Sequence, residues 1–136
     1  MTKLAAAILA SALCAGAQAY DSKRALDNLS YEMTECAVYW GLMTGMPGLT
    51  KVEVDVLKKQ AETFLTLAYH YTDDDVVHAR VVMMTDSMMR KMKHKWSHVA
   101  VVASEHAFFC QDLNPVVRLQ YWADKQDAPV VTVVKP

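Results

Sequence analysis

The stretch LTKVEVDVLKKQAETFLTLAYHYTDDDV, residues 49–76, contains the starts of two helices and the turn between them. Thr50 followed by Glu53 is the T-x-x-E pattern of a capping box, and Leu49 and Val54 suit the flanking hydrophobic staple. Apolar residues then recur every three or four positions: Val54, Leu57, Ala61, Phe64, Leu65 and Ala68. This spacing predicts an amphipathic helix that ends near Tyr71.

The second start in this stretch is expected at Thr72, which we predict to be the N-cap of the next helix. Asp75 would take the third helical position, and Tyr71 and Val76 would form the staple. The three aspartates at 73–75 fall in the first turn, where the helix dipole favours negative charge. We therefore interpret them as capping residues rather than as a calcium site, which needs more widely spaced oxygens and a glycine.

The chain beyond this start has no glycine or proline before Pro115. A stripe of mostly apolar residues keeps helical phase throughout: Val77, Val81, Met84, Met88, Met92, Trp96, Val99, Ala103, His106 and Cys110. A single helix over 73–111 would be about 58 Å long, too long for a compact domain with a radius of gyration of about 13 Å. We therefore expect a break near Lys93–Ser97, with Ser97 capping the helix that follows.

A first helix is predicted upstream, over about 22–44. Its inward positions follow the same three-and-four spacing: Leu26, Leu29, Met33, Cys36, Ala37 and Trp40. Ser22 is the expected N-cap. Gly45 suits a left-handed helix end, and Pro47-Gly48 suits a type II turn.

The end of the chain is predicted to form one short helix and an extended tail. Asn114 and Pro115 suit the N-cap and the first position of a helix that ends around 123–126. Residues 129–136 are β-prone and are bracketed by prolines. We expect this tail to pack on the domain; the alternative is addition to the edge of a partner's sheet. Together the segments predict an all-α fold, an antiparallel bundle of four to five helices over 20–128.

The first nineteen residues have the three parts of a secretory signal peptide. Lys3 provides the positive start, residues 4–13 the apolar core, and Ala17-Gln18-Ala19 the small residues before a cleavage site. The apolar core is too short to span a membrane. Lipidation of Cys14 is the alternative, but the bulky Leu13 before it disfavours this modification. We therefore expect cleavage near Ala19 and a periplasmic or secreted protein.

Cleavage would remove Cys14 and leave Cys36 and Cys110, a pair that predicts a disulfide in an exported protein. The bond would close a long loop, for which chain entropy gives about 4.5 kcal/mol of stabilisation. No C-x-x-C motif or cysteine-rich zinc spacing is present in the sequence. Thioredoxin-like redox chemistry and zinc-finger roles therefore lack their usual ligands.

The charge of the chain argues against nucleic acid as a partner. The sequence has 14 basic and 15 acidic residues, and loss of Lys3 with the leader would leave a formal charge of −2. No apolar run after residue 19 is long enough to cross a bilayer. A protein partner is the remaining expectation.

A soft-metal site is the main alternative function, because residues 83–98 are rich in methionine and histidine. The methionines are spaced four residues apart, and so are the two histidines. The five candidate ligands are Met84, Met88, Met92, His94 and His98. Thioethers suit Cu(I), and paired imidazoles suit copper or zinc. However, the methionines also lie on the core stripe, and lysines surround the histidines. Core packing and a solvated face are therefore the favoured interpretation.

Two further groups are candidates for specific roles. His106 lies one turn before Cys110 and is expected near the disulfide, where a half-buried imidazole would be pH-sensitive. Its alternative role is that of an ordinary histidine at the core edge. A basic cluster suits either a helix C-terminus or weak contact with an anionic surface: Arg90, Lys91, Lys93 and Lys95.

Catalysis is the third hypothesis, that of a small enzyme of unidentified type. The sequence has no GxSxG, HExxH or P-loop motif. Glu32 and Glu35 form a carboxylate pair on the first helix, which we expect to be exposed. The sequence therefore favours a small exported, non-catalytic helical module that binds a protein or stabilises an envelope or secreted assembly.

Overall fold

The computed structural model describes residues 2–125, with side chains from Ser22 onward. It has five α-helices and one short 3-10 helix: α1 Thr2–Met43, α2 Lys51–Tyr71, α3 Asp74–Lys91, the 3-10 helix Trp96–His98, α4 Val99–Asp112 and α5 Pro115–Lys125. No strand occurs within this part of the chain. The predicted all-α bundle is confirmed, and the predicted tail at 129–136 lies outside the described residues.

Helix α1 is the centre of the bundle and contacts each of the four other α-helices. Its residues between 29 and 39 are buried on almost every side, including the polar Ser30 and Thr34. Ser30 Oγ donates to Ala68 O of α2 at 3.0 Å, and Thr34 Oγ1 donates to Ser30 O at 2.8 Å. The predicted N-cap at Ser22 is wrong for this chain, because α1 continues through that residue.

The start of α2 confirms the predicted capping box. Thr50 N donates to Glu53 Oε2 at 2.8 Å, and Glu53 N donates to Thr50 Oγ1 at 3.3 Å. The helix turns Phe64 and Ala68 into the core and ends at Tyr71 as predicted. Two backbone donors at its first turn are thereby satisfied by local contacts.

The start of α3 differs from the prediction by one residue. Asp73, not Thr72, is the N-cap, and its side chain makes no capping hydrogen bond. Thr72 Oγ1 instead donates to Asp27 Oδ1 at 3.0 Å, and Arg80 Nη2 lies 2.9 Å from both oxygens of the same carboxylate. A long-range contact with α1 therefore takes the hydroxyl that the local pattern assigned to a cap.

The predicted break between the third and fourth helices is confirmed. Lys93 and His94 have positive φ angles of 51° and 54°, which end the helical path after α3. Ser97 is not the cap as predicted, because it lies inside the 3-10 helix and His98 occupies the N-cap position of α4. The chain reverses here without a glycine or proline.

The loop between α1 and α2 brings two glycines into different roles. Gly48 has φ 87°, as a type II turn after Pro47 requires. Gly45 is not left-handed as predicted; instead, a Cβ added there would lie 2.7 Å from Trp96 Cζ2. The close approach of the indole ring is therefore what requires glycine at 45.

Helix α5 begins as predicted, with Asn114 Oδ1 accepting from Val116 N at 3.0 Å and from Val117 N at 3.3 Å. Its Arg118 Nε donates to Glu32 Oε2 of α1 at 2.8 Å. Glu32 is only 7% exposed, so the expectation that it faces solvent is wrong. The carboxylate raises the pKa of the Arg118 guanidinium by hydrogen bonding to it, and the pair anchors α5 to the bundle.

The predicted disulfide joins α1 to α4. Cys36 and Cys110 are bonded, with their Cα atoms 5.3 Å apart and both residues buried. The bond connects positions 74 residues apart in the chain. Helix α4 is thus held against the central helix at one fixed position. A search for helices able to cross a membrane found none among the described residues.

Candidate functional site

A small polar pocket lies where α1, α3 and α4 meet. Its volume is about 130 Å³. Helix α1 contributes Tyr31 and Glu35, and α4 contributes His106. Helix α3 contributes one face of four residues: Met84, Ser87, Met88 and Lys91. We call this set the polar pocket. It combines an imidazole, a carboxylate, an ammonium group and two thioethers in one small volume.

His106 is the central titratable group of the polar pocket. It is 8% exposed, and its Nδ1 lies 2.8 Å from Glu35 Oε1. Its Nε2 lies 3.6 Å from Glu105 Oε2. Neither ring nitrogen has hydrogen-bond geometry to any atom in the described part of the chain, although Nδ1 is within ion-pair distance of Glu35. The ring is therefore buried between two carboxylates with its hydrogen-bonding capacity unused.

The contact between His106 and Glu35 agrees with the predicted location of His106 near the disulfide. Glu35 precedes Cys36 in α1, and His106 lies one turn before Cys110 in α4, so the bond brings the two side chains together. The Tyr39 ring lies 6.0 Å from the imidazole, centroid to centroid. The pH-sensitive role remains a prediction.

Two residues of the basic cluster form ion pairs. Arg90 Nη1 lies 3.0 Å from Asp86 Oδ2, and Lys91 Nζ is hydrogen-bonded to Glu105 Oε2. This hydrogen bond lowers the pKa of the Glu105 carboxyl. Lys93 and Lys95 are exposed in the turn after α3. Contact of the cluster with an anionic surface stays a prediction; all four side chains are exposed, and two of the four charges are in ion pairs.

The predicted soft-metal ligands are placed in two environments. Met84, Met88 and Met92 are all buried in the core cluster, as the favoured interpretation expected. His94 is exposed, and His98 Nδ1 lies 3.1 Å from the carbonyl oxygen of Met92. Met84 and Met88 share the polar pocket with His106, whereas Met92 and both turn histidines are not among its lining residues.

A second concave surface lies between α1, α2 and α4 and is apolar. Its volume is about 450 Å³. We call it the apolar groove, and its lining residues are Tyr39, Trp40, Met43, Met46, Leu49, Val52, Glu53, Val56, Leu57, Val99 and Ala103. Burial in this wall raises the pKa of the Tyr39 phenol. Glu53, the capping residue of α2, is the one acidic residue of this lining.

Two valines of the apolar groove are unusually open to water. Val52 is 72% exposed and Val56 is 56% exposed, and they lie one turn apart on α2. Neighbouring Met43 is buried, and Leu57 packs against the core. The groove therefore has a closed apolar floor and an apolar rim that the chain, as described, leaves uncovered.

Sequence reasoning missed the Glu35–His106 contact because it treated Glu35 as an exposed helix residue. The signal was nevertheless present, since both residues lie within one turn of a cysteine in the predicted disulfide. The apolar groove was also missed. Its signal was Val52 and Val56, two apolar residues outside the inward stripe of α2.

Conventional metal clusters are not found in the part of the chain that is described, where no group of three or more His, Cys, Asp or Glu side chains is arranged to hold an ion. Comparison of the chain with protein-family models, with curated proteins and with solved structures found no match in any of the three. The function must therefore be argued from the two surfaces themselves.

Proposed function

We propose that this chain is an exported, non-catalytic binding module that holds an apolar segment of a partner protein in the apolar groove. The observation that carries the proposal is the exposed pair Val52 and Val56 on the rim of an otherwise apolar cleft of about 450 Å³. Apolar surface of this kind, concave and bordered by charged helix residues, is characteristic of protein interaction sites.

The shape of the groove favours a helical or extended segment as the bound element. Its rim residues Val52 and Val56 lie at i, i+4 spacing, so they form a short ridge along α2. Val99 and Ala103, also one turn apart, line the groove from α4. An amphipathic helix could bury its apolar side chains against these residues, because most of the groove lining is apolar.

Export is part of the proposal and is supported by two features. The leader at residues 1–19 has the pattern of a signal peptide. The Cys36–Cys110 disulfide is compatible with an extracellular protein, because such bonds persist in oxidising compartments. A periplasmic or secreted module would need no reaction centre, only a stable scaffold that presents the groove.

The test uses a photo-cross-linking amino acid placed at Val56, with Val82 as the matched control. The two valines are 56% and 58% exposed, but Val82 lies on α3 and is not part of the groove lining. In the native host we expect a discrete adduct from position 56 that is absent or much weaker from position 82. Equal adduct yields from the two positions would contradict the proposal.

The identified partner is then purified and titrated against two variants. Val56→Glu should weaken binding at least tenfold, because it places a charge in a desolvated contact, and Val82→Glu should leave the affinity unchanged. A variant ending at Asp127 is included because the apolar segment 129–136 is another candidate occupant. Cross-linking from position 56 to that segment, or to a second copy of the chain, would show that the groove holds this occupant and would contradict the proposed partner protein.

A further inference from the structure

We propose that the polar pocket is a binding site for a soft monovalent cation, Cu(I), held by the thioethers of Met84 and Met88 and by Nε2 of His106. The three side chains line the same cavity of about 130 Å³; the two methionines come from α3 and the histidine from α4. Thioether and imidazole donors together are a ligand set that favours Cu(I) over hard cations. This site is independent of the proposed protein-binding groove.

The imidazole of His106 has a carboxylate beside one of its two ring nitrogens. Its Nδ1 lies 2.8 Å from Glu35 Oε1, so a small rotation of either group completes an Nδ1–H hydrogen bond to the carboxylate. Metal-binding histidines are usually fixed in this way, with the second nitrogen left free for the ion. His106 lines the pocket and is more than nine-tenths buried, and neither ring nitrogen has a hydrogen-bond partner in residues 22–125, so with the proton on Nδ1 the lone pair of Nε2 is unused.

The charges around the pocket favour an added cation. Nε2 lies 3.6 Å from Glu105 Oε2, and with the proton on Nδ1 both of these atoms are acceptors. The Lys91 ammonium on the same Glu105 oxygen offsets part of their repulsion, and a cation bound at Nε2 would offset more of it. Glu35 and Glu105 carry two negative charges, of which Lys91 neutralises one through its hydrogen bond to Glu105. A monovalent ion would neutralise the second.

The methionines are positioned by the core rather than by a mobile surface. Met84 and Met88 lie one turn apart on α3 and are 5% and 3% exposed. Both residues line the pocket, and their burial would shield an ion bound to the thioethers from water. The ligand set differs from the five residues that the sequence favoured, since Met92, His94 and His98 do not line the pocket.

Other metals fit the pocket less well. Zinc and calcium sites need several His, Cys, Asp or Glu ligands, and no such group is arranged among the described residues. The two cysteines whose side chains are described, Cys36 and Cys110, are bonded to each other and provide no thiolate. A site of two thioethers and one imidazole therefore selects its metal by the softness of the ligands more than by their charge.

The experiment titrates Cu(I) into the purified mature chain against a chromophoric Cu(I) chelator, under anaerobic conditions with ascorbate, which leaves the disulfide intact. We expect one equivalent to bind. Met84→Leu, Met88→Leu and His106→Gln should each weaken binding at least tenfold, and Glu35→Gln by roughly 10–100-fold as an orienting partner. Met92→Leu is the matched control and should leave the affinity unchanged.

A second measurement on the unmodified sequence guards against variants that fail to fold. With methionine methyl groups labelled for NMR, Ag(I) as a diamagnetic substitute should shift the Met84 and Met88 resonances and leave Met92 in place. The proposal is overturned if no binding competes with the chelator, if the Met92 signal responds instead, or if His94→Gln and His98→Gln abolish binding while His106→Gln does not.

Discussion

The apolar groove and the polar pocket are both built on α1 and α4, yet they depend on different parts of the sequence. Most of the groove lining comes from the continuous segment 39–57, which forms the end of α1, the loop and the start of α2. The pocket draws its residues from 31–35, 84–91 and 106. The groove is thus largely a product of local structure, whereas the pocket exists only when three distant segments are held together.

Because of this difference, removal of the disulfide should affect the polar pocket more than the apolar groove. Replacing both cysteines, Cys36→Ser with Cys110→Ser, should lower the free energy of unfolding by about 2–5 kcal/mol, because the unfolded chain loses a long cross-linked loop. The pocket should be lost before the groove, since the bond lies beside Glu35 and His106. Denaturant unfolding of the oxidised protein and of the variant measures the first effect.

Methyl NMR measures the second effect of this double substitution. Larger shifts are expected at Met84 and Met88 than at Val52 and Val56. The reduced wild-type protein is the control, because it removes the bond without removing an atom of sulfur. Identical unfolding midpoints for oxidised protein and variant would mean that the bond does not hold α4 to α1.

The second prediction separates the scaffold from both surfaces. Arg118→Ala leaves the buried Glu32 carboxylate without its partner, and we expect a loss of about 2–4 kcal/mol in unfolding free energy. The guanidinium also lies 4.3 Å from the Tyr121 ring centroid, so stacking contributes to the same loss. Arg118 lines neither surface.

The matched control for this prediction is Arg118→Lys, which keeps the charge but not the two-pronged hydrogen bonding. It should fall between wild type and alanine in thermal unfolding. Photo-cross-linking from position 56 and Cu(I) binding should both persist in the folded fraction of either variant. Loss of either activity at temperatures where the variant is folded would show that α5 supports a site after all.

The third prediction tests the groove alone. Gly45→Ala places a Cβ 2.7 Å from Trp96 Cζ2, and overpacking of this kind costs about 1–3 kcal/mol. The displaced loop carries Met46 and Leu49, so groove binding should weaken while the polar pocket is unchanged. Gly41→Ala is the control: its nearest atom is Ala61 Cβ at 4.0 Å, and removing a helical glycine should stabilise by about 0.5–1 kcal/mol. An unchanged melting temperature for Gly45→Ala would mean that Trp96 yields without cost.

The parts of the fold that sequence predicted correctly are those fixed by short-range chemistry. The capping box at Thr50, the start at Asn114-Pro115 and the end of α2 each depend on residues within a few positions. The disulfide was predicted because only two cysteines follow the expected leader. The break after α3 was inferred from length rather than from pattern, and Ser97 was therefore placed wrongly as its cap.

The parts that sequence could not predict depend on contacts between distant residues. Thr72 is a residue type that favours the N-cap position, but its hydroxyl donates to Asp27 instead. Glutamate is usually a surface residue, but Glu32 is buried with a hydrogen bond from Arg118, which lies 86 positions away in the chain. The central helix is buried on most sides, so its amphipathic stripe identified only some of its core residues. The same limit explains why the polar pocket was not foreseen, since its residues come from three distant segments.

The smallest expected effect concerns the capping box, which borders the groove through Glu53. Hydrogen bonds from Thr50 lower the pKa of the Glu53 carboxyl, with the backbone N–H making the larger contribution. Its stabilising contribution is complete above the unfolded pKa of about 4.3 and is lost as the pH falls through the lower folded value, because the unfolded state binds the proton first. Glu53→Gln keeps a capping side chain without the charge. The difference in stability between this variant and wild type should therefore be constant above about pH 5.5 and shrink in acid.

Thermal unfolding of both proteins between pH 3 and 7 measures this difference, and Glu62→Gln, which replaces an exposed carboxylate farther along α2, is the control. A difference that does not shrink in acid would mean that α2 starts without help from the Glu53 charge, and that the groove rim depends on packing alone.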